Sequence, residues 1–276
     1  MRKTFDGTYY KHQLGGAVLS LIAGTSADEA FVQVITNRDS HYVKYPLPGC
    51  GAGETFRIGE NSFSRNGVHL DIEEQGFSIR GDIKYGSLTP LRYDIMGPFR
   101  CLPMACRHKI VSLRHSVDGG LTVNGQAMDF TGGTGYIEGD SGGSFPKSYL
   151  WIQCNDFPRD ACVTVSVADV PFAGLHFRGC IAVVYLDGME YRLATYLGVR
   201  ILVCNKSRVV LKQGRLRLEI DIHAGTGHKL LAPAKGAMVR EIRERIACPA
   251  RFRFLKGNEL MFDESSQNAS FEYVDT

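Results

Sequence analysis

The sequence predicts an all-β protein, and three observations carry that expectation. Short runs of alternating or β-branched residues recur along almost the whole chain. Two-residue turn signals such as Asn124-Gly125 and Asp187-Gly188 separate many of them. Only one stretch has the spacing of a helix. The runs number on the order of fifteen short strands, the pattern of a sandwich or of one or two closed barrels.

Taken in order, residues 17–22 (AVLSLI) and 31–36 (FVQVIT) are β-branched-rich and bounded by Gly, Thr and Asn. Residues 68–73 (VHLDIE) and 109–115 (KIVSLRH) alternate apolar and polar side chains. Asp118-Gly119 and Asn124-Gly125 flank an LTV run and read as hairpin loops. Asp187-Gly188 separates CIAVVYL from MEYRLATYL, and Gln213-Gly214 lies between 209–212 and 216–222. Residues 237–248 predict the single, C-terminal helix: Met238, Ile242 and Ile246 lie four apart, Glu241 and Arg245 form an i,i+4 pair, and Pro249 stops the run. A glycine-rich break at 131–135 (TGGTG) marks the expected seam between an N-terminal unit, 1–132, and a C-terminal unit, 133–276.

A chain of 276 residues, 44% hydrophobic and 22% charged, can bury one large core or two modest ones. Its net charge of +3 is small and dispersed, which argues against nucleic acid as a partner. No apolar run reaches the roughly 18 residues of a membrane span, and the N-terminus lacks the apolar core of a signal peptide. The expectation is a cytoplasmic protein, with peripheral membrane contact left open. The eight cysteines read as reduced thiols, several of them within apolar runs.

Residues 134–157 (TGYIEGDSGGSFPKSYLWIQCNDF) concentrate the chemistry. Gly139-Asp140-Ser141-Gly142-Gly143 matches the pentapeptide around a trypsin-like serine nucleophile. Such a serine needs a histidine base oriented by a carboxylate. Here no Ala-His-Cys context exists, and the serine lies mid-chain. A short glycine-rich match is weak without that context.

The flanks carry more. Gly135-Tyr136-Ile137-Glu138, Asp140, Gly142, Ser144-Phe145-Pro146 and then Trp151, Gln153 and Asn155 resemble the GYIE-x-D-x-G-x-SFP…W-x-Q-x-N signature of the tocopherol cyclase-like family. Tyr10-Lys11-His12-Gln13, Met96-Gly97-Pro98-Phe99, Cys106-Arg107-His108, residues 191–196 (YRLATY) and Ala232-Pro233 resemble further blocks in the family's order. The sequence departs from the plant cyclases at Gly139 and Ser141, where they carry Lys and Trp, and is similar to the short bacterial branch. Ala105 stands where the family pattern leads one to expect a carboxylate. The resemblance implies two lipocalin-like (AttH-like) β-barrels side by side, the second carrying the signature.

It also implies a reaction. The plant members close a chromanol ring by protonating a prenyl double bond and capturing the cation with a phenolic oxygen. That chemistry needs a carboxylic acid kept neutral by an apolar setting and aromatic faces for the cation. Glu138 and Asp140 are the candidate acids; Tyr136, Phe145, Trp151, Gln153, Asn155 and His108 are the candidate ligand-binding residues. If 149–155 is a strand, Trp151, Gln153 and Asn155 share one face, which would suit a barrel lumen. The plainer reading of each is structural: Asp140 capping a turn, Glu138 pairing with Lys147 or an arginine, Gln153 and Asn155 stitching strand to loop.

Cys101, Cys106, His108 and His115 invite a zinc reading, but an extended 106–115 turns His115 away from the others. No metal and no cofactor is expected, since protonation and cation capture involve no redox change. The expected partner is a prenylated or otherwise lipophilic small molecule, on which the protein acts as a cyclase or isomerase. The alternative is a carrier or sensor that binds a hydrophobic ligand without converting it.

Overall fold

A computed structural model describes residues 4–47, 55–172, 175–223 and 225–275, and Cys50 lies outside them. The chain builds two antiparallel sheets. The first has eleven strands: β1 (Phe5–Leu14), β2 (Ala17–Thr25), β3 (Ala30–Thr36), β4 (Ser40–Tyr45), β5 (Thr55–Ile58), β6 (Asn61–Ser64), β7 (Gly67–Glu74), β8 (Phe77–Tyr85), β9 (Cys106–Val123), β10 (Gln126–Asp129) and β11 (Gly133–Gly142). Ten strands make the second: β12 (Tyr149–Cys154), β13 (Ala161–Phe172), β14 (Leu175–Leu186), β15 (Met189–Ala194), β16 (Arg200–Asn205), β17 (Arg208–Gln213), β18 (Leu216–Ile222), β19 (His228–Ala234), β20 (Ala237–Lys256) and β21 (Glu259–Val274).

In the first sheet the order is β4-β3-β2-β1-β11-β9-β8-β7-β6-β5, with β10 added to β9. The second runs β15-β14-β13-β12-β21-β20-β18-β17-β16, with β19 added to β20. Sheet membership changes between Gly142 and Tyr149, so the glycine-rich turn at 131–135 leads into the last strand of the first sheet.

Each sheet curls around its own core. Val43 of β4 and Ile58 of β5, at opposite ends of the first order, belong to one apolar cluster with Leu70, Ile79 and Ile137. Leu193 of β15 and Val209 of β17 share a second cluster with Ile152, Phe252 and Phe254. No ladder closes either ring among the described residues, so the closed barrels expected from sequence are open, curled sheets. Side chains span the gaps instead. The Gln213 amide accepts from the Ala194 amide and donates to the Arg192 carbonyl, and Asn61 donates to the Tyr45 hydroxyl.

The C-terminal helix is overturned. Residues 237–256 are one long strand in which the even-numbered Met238, Ile242, Glu244, Ile246, Cys248, Ala250, Phe252 and Phe254 are buried, while Arg240 is partly buried and Lys256 exposed. A four-residue spacing is also a multiple of two, so it fits a strand as well as a helix. Glu241 pairs with Lys229 of β19 at 3.1 Å rather than with Arg245, and Pro249 sits where the β20–β21 register is broken by bulges.

Asp118-Gly119 likewise lies inside β9 rather than in a hairpin. Gly119 adopts φ +113°, and a Cβ there would come within 2.4 Å of the Asp82 carbonyl. Asn124-Gly125 and Asp187-Gly188 do make hairpin turns, with positive φ at both residues. Among the described residues no helix is long and apolar enough to cross a membrane, and seven cysteines are free thiols.

Candidate active site between the two sheets

A third apolar cluster lies between the sheets and joins Tyr9, Ile35, Met96, Tyr136, Tyr149, Trp151, Leu230 and Ile242. Strand alternation produces it. On β11, Ile137 enters the first core while Tyr136 and Glu138 face the second sheet; on β12, Leu150 and Ile152 enter the second core while Tyr149 and Trp151 face the first. Among these residues opens a cavity of about 190 Å³. It is larger than the roughly 150 Å³ apolar cavity that holds a benzene. The cavity is thus between the sheets, and the expected barrel lumen is filled by side chains.

Glu138 occupies one wall and is buried, 5% exposed. Its Oε2 accepts from the Tyr136 hydroxyl at 2.6 Å and the Trp151 indole at 3.2 Å, and lies 3.4 Å from His108 Nε2. The other ring nitrogen of His108, Nδ1, is 3.0 Å from Asp140 Oδ1. Asp140 is the least enclosed of the three, its side chain 24% exposed against 6% for Glu138 and 10% for His108. The imidazole therefore bridges an enclosed carboxyl to one nearer solvent.

Burial, reinforced by the charge on Asp140, pushes Glu138 up to about 7 even though His108, Tyr136 and Trp151 favour its anion. For His108, burial opposes the charge, but Glu138 and Asp140 outweigh it and raise the ring to about 9. Cys106 lies 3.5 Å from Asp140, and burial together with that carboxylate raises its thiol well above the usual value, so it is no thiolate nucleophile.

Register places these groups. An unbroken ladder from Gly135↔His115 would set Ile110 opposite Asp140. Two irregularities beside Ile137 advance β9, so that His108 lies opposite Asp140 instead. His115 is left on the other face, its ring against Tyr85 and its Nδ1 3.0 Å from Ser112. The cysteine–histidine set weighed for zinc is therefore dispersed. One ligand atom each from His108, Glu138 and Asp140 lie within 4.8 Å of one another, a grouping that could hold a metal ion. The ring, however, offers opposite nitrogens to the two carboxylates, the geometry of a hydrogen-bonded relay rather than of donors converging on one point.

Of the residues singled out in the sequence, Glu138, Asp140, His108, Phe145 and Trp151 line the cavity, and Tyr136 stands directly behind Glu138. Phe145 meets Phe5 and Tyr149 edge to face. Glu138 has no bond to Lys147. Gln153 and Asn155 are fully buried but do not line the cavity. Gln153 accepts from Lys11 at 3.3 Å; Asn155 accepts from Gln13 and donates to the carbonyls of Gly135 and Leu113, fastening β12 to the first sheet. Ser141 has no histidine of its own, because His108 is engaged by Asp140 and Glu138.

Sequence reading missed three groups. Glu272 of β21 lines the opposite wall and accepts from the Tyr149 hydroxyl at 2.6 Å. Glu244 of β20, directly across the ladder from Glu272, accepts from the Tyr9 hydroxyl at 2.7 Å. Lys11, 1% exposed, is buried nearby, and burial lowers its ammonium. The alternation of residues 270–273 is a signal that could have found Glu272; Glu244 was hidden by the helical reading.

The tocopherol cyclase-like family model matches residues 67–200. No curated protein matches the chain by sequence. Three solved structures share the fold at low identity. CghA, determined with Sch210972, aligns at 10% identity and TM-score 0.64, covering 99% of this chain and 89% of that one. Kievitone hydratase from Nectria haematococca aligns at 12% and 0.57, covering 98% and 88%. An AttH-like protein from Nitrosomonas europaea aligns at 9% and 0.57, covering 99% and 92%. Over residues 67–200, then, the chain matches the tocopherol cyclase-like family, the one its motifs resemble.

Proposed function

We propose that the protein is an intramolecular cyclase or isomerase that starts ring closure on a lipophilic small molecule by protonating a double bond. One observation carries the reading: an enclosed carboxyl, Glu138, faces an aromatic-walled cavity and is linked through His108 to the more exposed Asp140. Glu138, held near neutrality by its burial, delivers a proton to one alkene carbon, leaving a cation on the other. The faces of Trp151, Tyr9 and Phe145 stabilise that cation. A hydroxyl oxygen of the same molecule then forms the new C–O bond, and its proton returns to the Glu138 carboxylate. Nothing is oxidised or reduced, and no proton is consumed. His108 and Asp140 correct the protonation state of Glu138 between turnovers, Asp140 exchanging with solvent.

The test is to identify the co-purifying ligand by mass spectrometry and follow its conversion by wild type, Glu138→Gln and Asp140→Asn. Conversion by wild type that Glu138→Gln abolishes supports the reading. If all three bind the ligand and wild type never converts it, the protein is a carrier or sensor of a hydrophobic ligand, as the apolar lining alone would allow.

A further inference from the structure

The second wall of the cavity has its own polar centre. Glu272 is buried beside Trp151, its cross-strand neighbour on β12, and beside Glu244, its cross-strand neighbour on β20. Two carboxylates directly opposite each other on one sheet face repel, and burial removes the water that would screen them. Only one of the pair has a cation at hand, since Lys11 lies near Glu244. The charges that act most strongly on Glu272 are carboxylates, Glu244 and then Glu138 and Asp140, while Arg240 acts on Tyr149 and is held by the Pro146 and Lys147 carbonyls. Its hydrogen bonding tells the same story. Glu138 has a phenol, an indole and an imidazole around one oxygen; among the described residues, Glu272 has the Tyr149 hydroxyl alone. Among the described residues, the lining includes Glu138, Asp140, Asp169 and Glu272 but neither lysine nor arginine.

We propose that Glu272, steadied by Tyr149, is a second ligand-binding group that stays protonated and donates a hydrogen bond to an uncharged oxygen of the ligand, so that the cavity takes neutral oxygenated lipophiles and turns away carboxylates. The assignment names the substrate class for the cavity read above as a cyclase site, but it concerns occupancy alone and holds equally for a carrier. A ligand carboxylate would enter an apolar space facing other acids, where the one lining cation, the His108 ring, is already engaged by Glu138 and Asp140, a cost far above that of one neutral hydrogen bond. An alcohol, phenol or ketone would meet a donor on the Glu272 wall while its hydrocarbon part lies against Phe5, Phe145 and Met238.

Trp151 is the only tryptophan and lines the cavity, so its emission reports occupancy without any chemistry. The full chain is titrated near neutral pH with 3-phenylpropan-1-ol, 3-phenylpropanoate and 3-phenylpropylammonium, which share one skeleton. The alcohol is expected to bind at least about tenfold more tightly than the carboxylate. Glu272→Leu should weaken alcohol binding roughly tenfold, whereas Glu272→Gln, whose amide still donates, should weaken it less than about threefold. Carboxylate binding as tight as that of the alcohol overturns the proposal, as does silence of all three probes. Tighter binding of the ammonium, lost in Glu272→Gln, also overturns it, because Glu272 would then be an anion. If Glu272→Leu does not fold, the selectivity of wild type and Glu272→Gln decides. Failure of the catalytic reading looks different: the probes bind as expected, and no ligand is converted.

Discussion

The two walls of the cavity carry the same functional group in opposite surroundings. On the first sheet, Glu138 is met by three donors and joined through His108 to Asp140. On the second, Glu272 has one neutral donor and a carboxyl as its neighbour. Burial is common to both, so it cannot set their difference. What differs is the supply of donors and cations, which decides whether a buried carboxyl can exchange its proton near neutral pH or keeps it. Enclosure is shared by the two carboxyls; a chain of contacts through His108 toward solvent belongs to Glu138.

The largest expected effect breaks the symmetry between the walls. Glu138→Gln should reduce conversion of the identified ligand by about 100-fold or more, while Glu272→Gln should cost less than about tenfold. Steady-state rates on the same ligand decide it; equal losses would mean the walls are not distinct.

Next comes a contrast between residues that face the cavity and those that fasten the sheets. Asn155→Leu strips partners from Gln13 and from the Gly135 and Leu113 carbonyls, and should lower stability by about 3 kcal/mol. Chemical denaturation measures the loss, and the Trp151 emission should still respond to the alcohol probe. A lost response at unchanged stability would move Asn155 into the site.

A smaller effect is read in pH. Burial raises Glu244 to about 7, so the folded chain holds a proton that the unfolded chain has released. Its contribution is fully present below about pH 4.5 and is lost as pH rises through about 7. The buried rings of His12 and His115, lowered to about 3 and about 4, act in the opposite sense below about pH 6.5. The readout is therefore the difference between Glu244→Gln and wild type. The variant should gain relative stability between about pH 4.5 and 7, by up to a few kcal/mol. A flat difference across that range contradicts the assignment. His108, raised to about 9, should add a loss of stability as pH climbs from about 6.5 through 9 in both proteins.

Smallest is Tyr149→Phe, which removes one hydrogen bond to Glu272 at the cavity edge and should cost about 1 kcal/mol in thermal unfolding. A loss several times larger would show Glu272 to be ionised and dependent on that donor.

Much of this was legible in the chain. The alternation and the Asn124-Gly125 and Asp187-Gly188 turns announced strands because side-chain period and left-handed turn geometry are local properties. The block from Tyr136 to Trp151 was legible because its aromatic and acidic residues sit close in sequence. Residues 237–248 read as a helix because spacings of four satisfy two periods, and that period gives no reason to set Glu244 on the same face as Met238, Ile242 and Ile246, as the strand does.

The sequence by itself determined the secondary structure class, the hairpins at Asn124-Gly125, Asp187-Gly188 and Gln213-Gly214, and the acidic and aromatic residues of one cavity wall, since all follow from neighbours along a strand. Only the tertiary structure decided the rest. Two irregularities in β9 brought His108 opposite Asp140, a register that no local pattern encodes. The pairing of β21 with both β12 and β20 set Glu272 between Trp151 and Glu244, residues 121 and 28 positions away along the chain. Whether a carboxyl faces a lumen, a turn or the space between two sheets depends on how those sheets pack, and that packing moved the cavity from inside a barrel to between the two sheets.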